Sequence, residues 1–160
     1  MAKTGYSAIT PAAVLLAAGT ARSVLGVLAP SSFGLEIKKI RVGTFGTAAA
    51  VPGDIELCTA TFATQPPGAT PVTSTAVTPQ QLYGRTIPAG FLAASAWTAG
   101  NEPTVLTVID SWPLTPNSST VLYDLPLGDS PDCGPNTGFV LRAKFAAAVS
   151  VSACLWVERC

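Results

Sequence analysis

The amino-acid sequence predicts an all-β protein, built as a sandwich or a barrel. Fourteen glycines and fourteen prolines interrupt the 160 residues, so few intervals could hold an ordinary helix of about 11 residues. Between the breaks, runs rich in Val, Ile and Thr recur at spacings of roughly 8–16 residues. The clearest runs alternate apolar and polar residues, which is typical of half-buried strands. About seven or eight strands are expected.

Residues 1–34 are expected to form an N-terminal arm, separate from a domain formed by residues 35–160. The arm is rich in Ala, Ser, Thr and Gly and ends in a loop-forming segment. Lys3 and the apolar segment 9–20 have the outline of a signal peptide, but Pro11 interrupts it, and a retained arm is the favoured interpretation. The segment is shorter than the roughly 20 residues that span a membrane, so no membrane partner is expected.

The first strand of the domain is predicted over residues 35–43, with a bulge in its middle. Its apolar side chains divide between two faces, Leu35 and Ile37 against Ile40 and Val42. A regular strand cannot point all four inward, but one extra residue near Lys38 and Lys39 would restore the pattern. The lysines are interpreted as the solubilising charges of an edge strand.

The middle of the chain is expected to be extended, in segments 54–62, 71–80, 83–87, 91–97, 103–112 and 119–125. Residues 91–97 are the best candidate for a short helix, but Pro88 and Gly100 favour a strand or irregular structure there. Residues 103–112 are apolar on both faces, which predicts burial between sheets or between subunits.

The last two strands show the clearest alternation. Their apolar residues occupy odd positions and are predicted to be core: Phe139, Leu141, Val149, Val151, Leu155 and Val157. Trp156 lies on the opposite face, and an outward tryptophan in a protein with 11% charged residues indicates a contact residue. Residues 146–148 could close a hairpin or cross between sheets.

The composition disfavours most familiar enzymes and metal proteins. The chain has no histidine, which removes the commonest general base and the usual zinc ligand. Its four cysteines are Cys58, Cys133, Cys154 and Cys160, and they form no CxxC motif. They are interpreted as plain thiols, although they could form two disulfides in an oxidising compartment. Nine basic residues balance nine acidic ones, so nucleic-acid binding is not expected. No enzymatic activity, cofactor or metal is expected.

Two groups of acidic residues are considered as a catalytic pair and as a calcium site. Asp54 and Glu56 share a strand face at about 6.6 Å, a spacing that suits a glycosidase, but they are better interpreted as solubilising charges. Asp129, Asp132 and Asn136 offer oxygen ligands for calcium without the regular alternation of a calcium loop, which favours a plain polar loop.

Six segments of the domain form a recognisable pattern: Leu35-Glu-Ile-Lys-Lys-Ile-Arg-Val-Gly43, Asp54-Ile-Glu-Leu-Cys58, Thr78-Pro-Gln-Gln81, Glu102-Pro-Thr-Val-Leu-Thr-Val-Ile-Asp110, Leu125-Pro-Leu-Gly-Asp-Ser-Pro-Asp-Cys133 and Val149-Ser-Val-Ser-Ala-Cys-Leu-Trp-Val-Glu-Arg-Cys160. Through them, residues 35–160 resemble small all-β virion proteins of tailed bacteriophages, which serve as head decoration or minor structural proteins. The resemblance implies a jelly-roll-like β-sandwich. It also implies a capsid decoration (cement) protein, commonly trimeric, on the outer surface of the phage head.

The implied partners are the major capsid protein and further copies of the chain, in virions made in the host cytoplasm. Two other functions remain open, a phage tail or baseplate component and a carbohydrate-binding jelly-roll module that contacts the host surface. The arm is too apolar for a free tail, so residues 24–28 are expected to add a strand to a sheet edge of a neighbouring subunit or of the shell. The candidate interface residues are Val24, Leu25, Val27, Leu28, Lys38, Lys39 and Trp156.

Overall fold

The computed structural model describes residues 4–46, 51–126 and 128–160, and over these ranges the chain forms β-strands and no helix. The strands are β1 (Gly5–Ile9), β2 (Val14–Leu16), β3 (Arg22–Leu28), β4 (Leu35–Phe45), β5 (Gly53–Ala60), β6 (Thr75–Val77), β7 (Gln80–Tyr83), β8 (Leu92–Ser95), β9 (Leu106–Leu114), β10 (Thr120–Asp124), β11 (Asp132–Cys133), β12 (Gly138–Lys144) and β13 (Val149–Arg159). The prediction of an all-β protein is confirmed.

The strands form two antiparallel sheets that pack as a β-sandwich. The first sheet has the order β10-β4-β13-β1-β7, with β11 beside β4 and β2 beside β13. The second sheet has the order β6-β8-β3-β12-β5-β9. Apolar side chains from both sheets fill the core, the largest being Tyr6, Leu16, Leu25, Leu35, Ile37, Ile40, Ile55, Leu57, Phe139, Leu141 and Phe145. Burial of this apolar surface is the main force that holds the sheets together.

Strand β4 contains the bulge that its sequence predicts. Trp156 of β13 pairs with Lys39 and the next residue, Val157, pairs with Ile37, so Lys38 is the extra residue. The apolar side chains on both sides of the bulge therefore reach the core, as Leu35, Ile37, Ile40 and Val42 are all buried. However, β4 lies between β10 and β13 in the interior of its sheet. The edge position expected from the two lysines is wrong.

The alternation predicted for the last two strands is confirmed. All six predicted core residues are at most 1% exposed: Phe139, Leu141, Val149, Val151, Leu155 and Val157. Strand β12 belongs to the second sheet and β13 to the first, so residues 146–148 cross between the sheets and do not close a hairpin.

The predicted division into an arm, 1–34, and a domain, 35–160, does not match the pairing of the described residues. Strand β1 lies between β13 and β7, and β3 lies between β8 and β12, so residues 4–34 contribute to both sheets. Residues 1–3, which include Lys3, lie outside the described ranges. The sequence of β3 was assigned to an arm because it shows no apolar–polar alternation. A strand that is buried on both faces, as β3 is, lacks that alternation.

The outer face of β3 is covered by a second, smaller apolar cluster. Gly26 pairs with Val140 on one side and with Ala94 on the other. The Trp97 ring packs on this row so closely that a Cβ on Gly26 would lie 2.9 Å from it. The indole Nε1 of Trp97 donates a hydrogen bond to the carbonyl of Gln65 at 3.0 Å. In the second sheet, strands β3 and β12 are therefore covered by apolar side chains on both faces.

The middle of the chain is extended as expected, with one exception. Residues 91–97 contain β8, which confirms a strand in preference to a helix. The strand predicted over 83–87 is wrong, because β7 ends at Tyr83. Gly84 has a φ of 95°, a left-handed conformation that ends the strand and that side chains with a Cβ rarely adopt.

Candidate protein interface

Two consecutive strands form the open side of the sandwich. Strand β9 is the edge of the second sheet and β10 is an edge of the first. The side-chain rings of Trp112 and Tyr123 meet between the two edges, with centroids 5.9 Å apart and planes tilted by 47°. Apolar side chains that are 40–54% exposed follow both strands: Val105, Val108, Ile109, Leu122 and Tyr123. We call these five residues, with Asp110, Trp112 and Val121, the β9–β10 surface.

Burial of residues 103–112 between the sheets, one of the two alternatives in the sequence, is wrong. Among the described strands, β9 has one neighbour, β5, and Val108 and Ile109 remain nearly half exposed. Leu106 and Trp112 pack partly against the apolar clusters of the chain, whereas Val105, Val108 and Ile109 stay exposed. Its burial between subunits stays a prediction.

The edge of β9 carries no lysine, although Asp110, opposite the buried Leu57, and Pro113 limit its pairing with another protein. Asp110 is its only charged residue, and it contains no lysine. Natural edge strands commonly carry lysines or inward-pointing charges for this purpose. Ile109 forms a bulge opposite Leu57 and Cys58 of β5, which bends the strand locally. The edge is thus interrupted in the middle, and its exposed apolar side chains precede Asp110: Val105, Val108 and Ile109.

A cavity of about 280 Å³ lies between the two edges and is lined by Asp110, Trp112, Val121 and Tyr123. The Asp110 carboxylate accepts a hydrogen bond from the backbone N–H of Ser111 through Oδ1, at 2.8 Å. Within residues 4–46, 51–126 and 128–160 it has no other hydrogen bond and no ion pair. The indole Nε1 of Trp112 is buried without a hydrogen-bond partner among these residues, so the exposed part of this half-buried ring is carbon.

Four of the interface residues expected from the sequence do not lie on a free surface. Val24, Leu25 and Val27 are at most 1% exposed and pack inside the sandwich, so they cannot contact another protein. Leu28 is partly buried against the cluster that contains Trp97. These four residues were expected to pair with a neighbouring subunit or with the shell because their strand was assigned to an arm, whereas β3 pairs on both sides within the chain.

Trp156 and Lys39 lie on the outer face of the first sheet, as the parity of β13 predicts. The Lys39 ammonium is 4.3 Å from the centre of the Trp156 ring and 2.6 Å from Asp124 Oδ1. The Trp156 ring is half-buried under this contact. Their use as contact residues stays a prediction.

Lys38 is engaged within the chain. Its ammonium pairs with Glu36 and lies 3.7 Å from Glu158 Oε2, and only 15% of its side chain is exposed. Tyr83 donates a hydrogen bond to the other oxygen of Glu158, so the cluster extends to β7. Lys38 therefore serves mainly to balance the nearly buried carboxylate of Glu158. A role of Lys38 in an interface stays a prediction, and these ion pairs argue against it.

The remaining polar groups are mostly paired with one another. Glu56 lies 3.5 Å from Arg142, and Asp54 is exposed beside it, in keeping with solubilising charges. A larger cavity of about 610 Å³ is lined by Arg22, Glu102 and Arg142, but Glu102 is held by Arg22 at 3.0 Å. In the part of the chain that the structure describes, no three His, Cys, Asp or Glu side chains cluster in a way that could hold a metal ion.

No disulfide joins Cys58, Cys133, Cys154 and Cys160 among the described residues. Burial raises the pKa of Cys58 to about 11 and also raises the pKa of Cys133 and Cys154 above the ordinary value, whereas Cys160 is exposed. Among the described residues, no helix has the length and hydropathy needed to cross a lipid bilayer.

No family model, curated protein or solved structure matches this chain. The β9–β10 surface is therefore identified from geometry alone. The sequence analysis gave Asp110, Trp112 and Tyr123 no role in an interface. The sequence feature that could have revealed this surface is the run 103–112. Its apolar residues on both faces indicate a partner, but they do not show that the strand lies at an edge.

Proposed function

We propose that the chain is a virion structural protein, a capsid decoration (cement) protein that binds the outer surface of a phage head and stabilises it. The observation that carries the proposal is the β9–β10 surface, an apolar edge that the single chain leaves half exposed. A protein that cements a shell needs such a surface and needs neither a metal nor a catalytic group. The resemblance of residues 35–160 to phage head proteins supplies the partner, the major capsid protein.

The strand order supports the jelly-roll form of the sandwich. If β6, β7 and β8 are set aside as an insertion between β5 and β9, one sheet retains the order β10-β4-β13-β1 and the other the order β3-β12-β5-β9. The chain then passes repeatedly from one sheet to the other, and its first strand lies beside its last. Two Greek keys wound together have this arrangement.

The proposal is tested by immunogold electron microscopy of virions from the source phage, with an antibody raised against the full chain. Gold on the head surface is the expected result. Gold confined to the tail or baseplate would show that the protein belongs to that part of the particle. Unlabelled virions would overturn a virion role. Antibody binding to purified chain spotted on the same grid is the positive control.

A homotrimer is part of the proposal, and this number comes from the resemblance. A charge-poor chain with a half-exposed apolar edge favours self-association in general. Sedimentation velocity of the full chain at micromolar concentration is expected to give about three times the monomer mass of 16.3 kDa. A stable monomer would contradict the trimer without affecting the immunogold result.

A further inference from the structure

We propose that Asp110, Trp112 and Tyr123 form a pocket that receives one lysine or arginine side chain of the shell protein. The partner's identity rests on the proposed function, whereas the chemistry of the occupant rests on the pocket itself. The three side chains line one cavity of about 280 Å³ at the open side of the sandwich. That volume accommodates one long side chain and excludes a folded segment.

The two aromatic rings offer a surface that attracts a cation. Trp112 and Tyr123 are tilted by 47° with their centroids 5.9 Å apart, so they form two walls of a wedge and are not stacked face to face. Tyr123 is 40% exposed and the buried indole N–H of Trp112 leaves ring carbon accessible. A guanidinium or ammonium group over such ring faces is attracted by their negative electrostatic potential.

Asp110 supplies the countercharge. Its carboxylate has one hydrogen bond, from the N–H of Ser111, and no cation beside it among the described residues. Asp124, on the adjacent edge strand, provides the contrast, because Lys39 already neutralises it at 2.6 Å. Asp110 is thus a carboxylate inside this cavity that a partner's cation could pair with.

The apolar surroundings determine which partner fits. If an uncharged surface covered the cavity lined by Asp110, Trp112, Val121 and Tyr123, it would leave the Asp110 charge buried without a partner, which is costly. A lysine or arginine at the centre of the contact removes that cost. A neutral sugar would leave that charge unneutralised.

The shell protein is a better source of this cation than a second copy. Most lysines and arginines that the structure describes are already held inside the chain, in ion pairs or over aromatic rings: Arg22, Lys38, Lys39, Arg142 and Arg159. Among the described residues, a second copy would offer this pocket Arg41, Arg85 and Lys144, and the measurements of self-association and head binding below distinguish the two sources.

The test is an NMR titration of the full ¹⁵N-labelled chain with N-acetyl-arginine amide, and with N-acetyl-citrulline amide as the neutral isostere. Arginine amide is expected to shift the Trp112 indole signal in a saturable way, with at least about tenfold weaker binding of the citrulline compound. Asp110→Asn should weaken arginine binding about tenfold, whereas the matched variant Asp124→Asn should leave it unchanged. Thermal melting of both variants checks that they fold as the parent chain does.

Equal binding of the two compounds, or no binding of either, would overturn the cation pocket. Saturable shifts with cellobiose that exceed those with arginine amide would replace it with a sugar site. Binding of Asp110→Asn to purified phage heads that lack the chain is expected to be about tenfold weaker than that of the parent chain. Unchanged head binding, or loss of self-association in Asp110→Asn, would overturn the shell as the source of the cation. If the parent chain binds arginine amide but not heads, the proposed function fails and the pocket stands.

Discussion

Replacement of Leu155 by alanine is expected to lower the free energy of unfolding by about 3–5 kcal/mol. Leu155 is 0% exposed and lies in β13, an inner strand of the first sheet. It pairs with Ala8 of β1 on one side and with Ile40 of β4 on the other, and both are also fully buried. Hydrogen-bonded strands on both sides hold the backbone in place, so the cavity left by the lost methyl groups cannot collapse. The upper part of the range observed for Leu→Ala changes in protein cores therefore applies.

Urea unfolding followed by tryptophan fluorescence measures this loss. A domain of this size has a total stability of about 5–15 kcal/mol, so the variant loses a large fraction of it. With a slope of about 2–3 kcal/mol per molar urea, the midpoint should fall by about 1–2 M. Leu15→Ala is the matched control, because Leu15 is 65% exposed on β2 and its removal leaves no cavity. The free energy of unfolding of the Leu15→Ala variant should differ from that of the parent chain by no more than about 0.5 kcal/mol.

A Leu155→Ala loss below about 0.5 kcal/mol with an unchanged slope would refute the packing of β13 described above. It would mean that the even-numbered face of the strand, with Trp156, is the one that packs against the second sheet. Equal losses for the Leu155 and Leu15 variants would lead to the same conclusion.

Two further predictions test other parts of the sandwich. A Cβ on Gly138 would lie 1.9 Å from the carbonyl oxygen of Val27 in the neighbouring strand, so Gly138→Ala should cost at least about 2 kcal/mol and lower the melting temperature by about 4 °C or more. Gly134→Ala, with nothing within 4 Å, is its control, and equal melting of the two would contradict the close approach. At pH 8, Ellman's reagent should react rapidly with Cys160 alone, and Cys160→Ser should remove the fast phase. Cys58 is 0% exposed and burial raises its pKa to about 11, so it should react slowly at pH 8, and fast reaction would show an open core.

The sequence by itself determined the strands whose two faces differ. The odd-numbered residues of β12 and β13 are apolar and their neighbours are polar, and this alternation alone assigned the core residues of both strands correctly. The bulge in β4 followed from the same rule, because one change of parity at Lys38 lets Ile37 and Ile40 both point inward. Glycine and proline frequency excluded long helices on elementary grounds.

Only the tertiary structure decided which strands are inside a sheet and which form its edge. Strand β3 is covered on both faces, by the core and by Trp97, so it shows no alternation, and its sequence suggested an arm. Strand β9 is as apolar as a buried strand, yet it lies at an edge with Val108 nearly half exposed. The pairing partners of a strand are distant in sequence, and local periodicity carries no information about them. For the same reason Trp112 and Tyr123, on different sheets, were brought together by the fold and by no motif.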